Sequence, residues 1–141
     1  MRILVTGATG NVGTALVRHL TGPHGSKHRV VAVARRPPVV QGDGLRGIEW
    51  HDIDLTDPAD APRLVEAMAG ADAVVHLAWG FQPSHDLEYL ERLAVGGTRL
   101  VAESAVAVGV PRLVHMSSVG AYSAKQSDDP VDESWPTHGI A

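Results

Sequence analysis

Glycines recur at every third position directly after the apolar run Ile3-Leu4-Val5, in the segment Thr6-Gly7-Ala8-Thr9-Gly10-Asn11-Val12-Gly13. A turn of this composition suits one chemistry, the holding of a pyrophosphate. That group's negative charge must be met without bulky side chains in the way, and bare backbone N–H groups with the positive end of a helix dipole achieve this. Gly7 permits a tight turn out of the strand, Gly10 lets the backbone approach the phosphates, and Gly13 lets the next helix pack closely on the sheet. The spacing is one residue longer between the first two glycines than in the usual dinucleotide fingerprint. A turn that only connects two elements is the alternative.

The surrounding elements favour the cradle. After Gly13 an apolar stripe of Ala15, Leu16, Val17 and Leu20 predicts a helix packed on a sheet, stopping near Gly22-Pro23. A second buried strand follows at Val30-Val31-Ala32-Val33, which completes a strand, helix, strand unit. Further on, strand-like and helical segments keep alternating, with no internal repeat or low-complexity linker. The expected fold class is α/β, a Rossmann-like doubly wound parallel sheet with helices on both faces, cut short after about five strands. One helix is expected from Pro62 to Ala69, with Leu64, Val65 and Met68 facing inward. A longer one is expected from Asp86 to Val108, with Leu87, Leu90, Leu93, Leu100, Val101 and Ala105 on one side. Gly96 and Gly97 interrupt it, at roughly 1 kcal/mol each against alanine, which implies either close approach by a neighbouring backbone or cofactor, or a break between two shorter helices.

Composition narrows the function classes. The 141 residues can bury one core. A net charge of −4 argues against a general nucleic-acid binder, which needs clustered Lys and Arg. The absence of cysteine removes disulfide frameworks and thiolate metal sites. The chain enters a strand directly after Met1-Arg2 and has no apolar run of membrane-spanning length, so no membrane association and a cytoplasmic location are expected.

Several motifs together make the chain similar to the extended short-chain dehydrogenase/reductase family, the NAD-dependent epimerase and dehydratase type. Besides the glycine turn they are Ile48-Glu49-Trp50 running into Asp52-Ile53-Asp54-Leu55-Thr56-Asp57, the strand Val74-Val75-His76-Leu77-Ala78, and Leu113-Val114-His115-Met116 running into Ser117-Ser118. The resemblance implies that Asp54 contacts the adenine and that the backbone at Ala78 passes beside the nicotinamide ribose. It implies that Ser118 is the catalytic serine, with Tyr122 in a structural tyrosine position. The implied cofactor contacts are Gly7, Thr9, Gly10, Asn11, Val12, Gly13, Arg35, Arg36, Asp54, Leu55, Leu77, Ala78, Trp79 and Ser117. In a doubly wound sheet, Gly7, Arg35, Asp54, Ala78 and Ser118 all follow strand carboxyl ends and should line one crevice.

Cofactor choice is set after the second strand. An acidic side chain there would bond the ribose hydroxyls of NAD and repel the extra phosphate of NADP, whereas this chain has Ala34-Arg35-Arg36-Pro37-Pro38. The planar fork of arginine suits a phosphate, so NADP is favoured and NAD stays open; a solvated basic turn is the alternative.

The resemblance also implies catalysis by a serine and a Tyr-x-x-x-Lys pair, in which an ammonium stabilises a phenolate near neutral pH. That pair is absent here: Tyr89 has Leu93 four residues on, and Tyr122 has Lys125 three residues on. The segment Asp132-Glu133-Ser134-Trp135-Pro136 resembles the one preceding the catalytic tyrosine, so residues 1–141 are expected to be an incomplete NAD(P)-binding domain, with the pair and the substrate-binding part beyond Ala141. A second departure is Ala94-Val95-Gly96-Gly97-Thr98 where the family has Asn-Val-x-Gly-Thr, which removes a polar contact near the nicotinamide.

The implied reaction is hydride transfer at a hydroxyl or carbonyl carbon of a small-molecule substrate such as a nucleotide sugar. A non-catalytic redox sensor that keeps the cofactor cradle is the rival. Relatives commonly pair the long helix with a neighbouring one across a two-fold axis, which implies a homodimer or higher self-association. Metal is not expected: His24 and His28 fall in a loop, the other histidines are dispersed, and Asp54 beside His51 and Asp52 is accounted for by adenine. A serine hydrolase is disfavoured because Met116-Ser117-Ser118-Val119-Gly120 lacks the first glycine of a nucleophile elbow.

Overall fold

The computed structural model describes residues 1–23, 28–39, 45, 47–80, 85–125 and 127–139; His24 and Ala141 lie outside them. Strand β1 (Arg2–Thr6) is followed by helix α1 (Asn11–Thr21), β2 (Arg29–Ala34) and β3 (Glu49–Asp52). Then come α2 (Ala61–Met68), β4 (Ala73–His76), α3 (Leu87–Glu91), α4 (Thr98–Ala107) and β5 (Leu113–His115). The strands form one parallel sheet in the order β3-β2-β1-β4-β5. The chain builds outward from β1 to β3, then crosses to the other side of β1, so the connections diverge between β1 and β4 and open a crevice at the strands' carboxyl ends.

Side chains alternate between the two faces. Leu4, Val31, Val33 and Val74 pack with Leu64, Met68, Val101 and Ala105 of α2 and α4. Ile3, Val5, Val30 and Ala32 pack with Val17, Leu16 and Leu20 of α1. Register puts Val5, Val75 and Val114 side by side on that second face. Burial falls across the row: Val5 is fully buried, Val75 half-buried and Val114 55% exposed. Helix α1 therefore covers the β1–β2 side and leaves apolar surface on β4 and β5.

The amino ends of the strands are tied by charge. Glu49 accepts from Arg2 at 2.9 and 3.1 Å, from Arg29 at 3.0 Å, and lies 3.0 Å from His51 Nε2. These hydrogen bonds, Arg2's foremost, pull the Glu49 carboxyl down to about 2. The cluster stitches β1, β2 and β3 at the end remote from the crevice.

Two expected inward positions point elsewhere. Ala15 is exposed because it sits two residues, roughly 200° of helix, from buried Gly13, while Leu16, Val17 and Leu20 share the packed side. Leu87 is 69% exposed at the first position of α3. The interruption at Gly96 and Gly97 is neither a break nor a pair of close approaches. Arg92–Gly97 forms a π-helical segment that joins α3 to α4 without ending the helix. A methyl group at Gly97 would lie 3.2 Å from Leu55 Cβ, so this glycine lets the helix ride against the loop after β3, whereas Gly96 has open space.

Candidate functional site

The glycine turn has the geometry that the sequence spacing requires. Gly7 has φ 67°, a left-handed conformation, and a Cβ there would come within 2.6 Å of the Ala78 nitrogen. The turn thus presses against the segment after β4. A Cβ on Gly13 would collide with the Gly7 carbonyl oxygen and lie 2.8 Å from the Ala8 Cα. Gly10 differs: it is exposed, caps α1 in extended conformation, and a Cβ would come only to 3.3 Å from the Gly7 oxygen. The N–H groups of Asn11, Val12 and Gly13 open α1 without intrahelical acceptors and supply the positive helix end.

Two adjoining clefts flank this turn and share Gly7, Gly10, Leu77, Ala78 and Trp79. The smaller, about 240 Å³, is also lined by Thr9, Arg35, Asp54, Leu55, Tyr89 and Leu93. The larger, about 700 Å³, is also lined by Asn11, Val12, Gly13, Ala94, Thr98, His115, Met116, Ser117 and Ser118. Residues scattered from Gly7 to Ser118 meet here: most follow the carboxyl end of a parallel strand or open the helix after it, while Tyr89, Leu93, Ala94 and Thr98 come from α3, α4 and the helical segment between them. Of the cofactor contacts and the catalytic serine expected from sequence, Arg36 alone lines neither cleft; it is exposed.

The smaller cleft is held by a folded acidic loop. Asp54 Oδ1 accepts from the Thr56 backbone N–H at 2.9 Å and from its hydroxyl at 2.8 Å. The Asp54 N–H donates to Asp60 at 2.7 Å, a bond that, with Arg63, holds the Asp60 carboxyl below its usual range. Among the described residues Asp54 Oδ2 accepts no hydrogen bond and remains available to a donor. Across the cleft, Arg35 Nη1 donates to the Tyr89 hydroxyl at 2.6 Å, and its guanidinium carbon lies 5.4 Å from the ring centroid.

The larger cleft rests on a buried polar bridge that sequence reasoning passed over. His76, at the end of β4, is 1% exposed. Its Nδ1 lies 2.6 Å from the Thr6 hydroxyl, and its Nε2 lies 3.0 Å from the hydroxyl of Thr98, a lining residue. Both ring nitrogens thus have partners, one as donor and one as acceptor, which fits a neutral imidazole. Burial, with His115 stacked at 5.1 Å, pushes the His76 pKa down to about 4. Strand alternation, which puts His76 on the same face as Val74, was the available signal.

Ser118 lines the larger cleft, and its hydroxyl accepts from the Gly120 N–H at 3.2 Å, capping the short turn Val119–Ala121. Tyr122 and Lys125 lie elsewhere, lining a hollow with Asp132, Glu133 and Trp135 that includes none of the cleft residues. The Trp135 ring N–H donates to the Ser123 carbonyl at 2.9 Å, folding the carboxyl-terminal segment back on this turn. His51 is engaged by Glu49, and among the described residues no cluster of His, Cys, Asp or Glu could hold a metal ion. Nor is any described helix long and apolar enough to cross a membrane.

Comparison with known proteins agrees with this geometry. The model of the NAD dependent epimerase/dehydratase family matches residues 3–139. The chain is 36% identical over 117 residues to L-arabinose 1-dehydrogenase (NAD(P)(+)) of Haloferax volcanii, covering 83% of this chain and 41% of that protein. A short-chain dehydrogenase/reductase superfamily protein from Agrobacterium tumefaciens, solved with bound NAD, superposes with TM-score 0.81 at 30% identity, covering 100% of this chain and 40% of that one. MoeE5 in complex with UDP-glucuronic acid and NAD gives TM-score 0.80 at 31% identity, with 99% and 43% covered. The chain spans less than half the length of each of these three proteins.

Proposed function

The chain belongs to the NAD-dependent epimerase/dehydratase family, and from that premise we propose that it forms the dinucleotide-binding part of an NAD(P)-dependent epimerase, dehydratase or reductase. The substrate carbon carries a hydroxyl or carbonyl, in a nucleotide sugar or related small molecule. One observation carries the reading: the two clefts meet at the glycine turn, where a pyrophosphate joining two nucleosides would sit. The cradle fits that group, because side chains at Gly7 and Gly13 are excluded by the backbone itself while the exposed Gly10 leaves the approach to the helix N-terminus clear. Adenosine would then occupy the smaller cleft beside Asp54, Leu55 and Arg35, and nicotinamide the larger one beside Ser117 and Ser118.

The bound nicotinamide supplies the hydride chemistry. Ser118 would hold and polarise the substrate oxygen, but proton transfer needs a phenol with a nearby ammonium, and no Tyr-x-x-x-Lys pair occurs in these residues. The 141-residue chain is therefore expected to bind cofactor and not turn over, with the pair and the substrate-recognising part on further chain. A purified sample verified by mass that exchanges hydride steadily would contradict this. The second reading, a redox sensor, is favoured by Ala94, which faces the larger cleft where the family's motif has asparagine. Extending the chain by about thirty residues separates the two, since the enzyme requires the pair there and the sensor does not.

NADP is the preferred cofactor in this reading, because positions 35–39 carry no carboxylate and Arg35 lines the adenosine cleft. Titration of NADP(H) and NAD(H) against wild type and an Arg35→Ala, Arg36→Ala double variant tests it. Wild type should favour NADP(H) by about tenfold or more, and the variant should lose that preference. Equal wild-type affinities would defeat it.

Self-association belongs to the same reading. Val75 and Val114 leave apolar surface at the β5 side of the sheet, and among the described residues β5 has no strand on its outer side, an edge that invites another chain. Light scattering is expected to find dimers or larger species; a monodisperse monomer at every concentration would rule this out. A cytoplasmic location is proposed with it.

A further inference from the structure

We propose that Tyr89 determines the dinucleotide specificity of this site, by holding the Arg35 guanidinium as the receptor for a phosphate on the adenosine 2′ oxygen. The inference rests on the cofactor reading above and deepens it. Arg35 follows β2 and Tyr89 lies on α3, 54 positions apart, yet both line the smaller cleft. Their contact has two parts, the 2.6 Å hydrogen bond from Nη1 to the phenolic oxygen and the guanidinium placed 5.4 Å from the ring centroid.

An exposed arginine on a loop samples many rotamers, and gripping a phosphate would require it to give up that freedom on binding. Tyr89 removes much of that freedom beforehand. Only Nη1 is engaged, so among the described residues the Nε and Nη2 donors remain for a two-point grip on phosphate oxygens. Pro37 and Pro38 narrow the backbone freedom of the segment just after this arginine. Asp54, the carboxylate in the same cleft, has one oxygen bound by Thr56 and follows a different strand. Arg36 lines neither cleft, which leaves Arg35 to carry the selectivity.

The test uses ligands that carry the adenosine half alone. Calorimetric titration of the full chain with 2′,5′-ADP and with 5′-AMP gives an affinity ratio that reads the 2′-phosphate. Wild type should bind 2′,5′-ADP about tenfold or more tightly than AMP. Tyr89→Phe keeps the ring and deletes the hydroxyl; the ratio should fall to about threefold or less, because 2′,5′-ADP affinity drops by more than AMP affinity does. Arg35→Ala should bring the ratio close to one. If Tyr89→Phe keeps the wild-type ratio while Arg35→Ala loses it, the role of Tyr89 is overturned and the cofactor preference stands. Equal loss of AMP and 2′,5′-ADP affinity in Tyr89→Phe means general damage to the pocket and also overturns it. A wild type that does not distinguish the two ligands overturns both.

Discussion

Substituting the three glycines of the turn should separate folding from ligand binding. Gly7→Ala is expected to destabilise the chain by about 3 kcal/mol or more, a combination of left-handed strain and a methyl group driven into the Ala78 backbone. Gly13→Ala should act similarly, since its Cβ has nowhere to go but the Gly7 carbonyl. Both variants should melt roughly 10 °C or more below wild type. Gly10→Val should behave differently. Its backbone, φ −71° and ψ 170°, suits any residue, and its position is exposed. At the α1 N-cap its Cβ would sit 3.3 Å from the Gly7 carbonyl oxygen, so melting is expected to fall by about 5 °C or less, well short of the losses in the other two variants. Dinucleotide affinity should nevertheless fall by about tenfold or more, because the side chain stands where the phosphates must approach. Thermal melts with cofactor titration check all three. A Gly10→Val variant that binds like wild type would mean that no phosphate sits at this turn.

Acid should destabilise the fold through His76 before it reaches the carboxylates. The unfolded imidazole titrates near 6.5, and in the folded protein its pKa is about 4. The folded state thus binds fewer protons than the unfolded state between these values, so stability is fully present above pH 6.5 and declines as pH falls toward 4. The loss amounts to about 3 kcal/mol over that window, a large fraction of a typical domain's stability. Protonation would also turn both ring nitrogens into donors, so the threonine hydroxyl that donates to the neutral ring would have to rotate and accept instead. Glu49 acts lower, its stabilisation lost below about 4.5 as pH approaches 2. Denaturant unfolding at a series of pH values, on wild type and His76→Gln, tests the assignment. The variant should be less stable at pH 7.5 and should lack the decline between 6.5 and 4; a parallel decline in both proteins would reassign it to other groups.

What could be seen in the sequence was what local spacing encodes. The glycine turn, the strand ends at Asp54, Ala78 and Ser118, and the alternation of strand and helix follow from neighbours within a few residues, and the sheet order places those ends together. The features that escaped are long-range pairs. His76 has its partners 70 and 22 positions away, and Arg35 meets Tyr89 across 54. Strand alternation announces that His76 faces the core beside Val74, but no periodicity announces which residues His76 or Arg35 meets. The Gly96-Gly97 pair was ambiguous for a related reason: only the packing of Gly97 on Leu55 distinguishes close approach from a break, and Leu55 comes from another element. Leu87 was misplaced because helical periodicity predicts a face and not how deeply each position on it is buried.

The claim that the glycine turn at the β1–β4 switch point holds a dinucleotide is tested most directly by backbone amide NMR on the 141-residue chain, titrated with NADP and with NAD. Saturable shifts should concentrate at Gly7 to Gly13, with further shifts at Arg35, Asp54, Ala78 and Ser118 along the two clefts. Saturation without movement at Gly10, Asn11 and Val12, or no saturation at millimolar dinucleotide, would contradict the account.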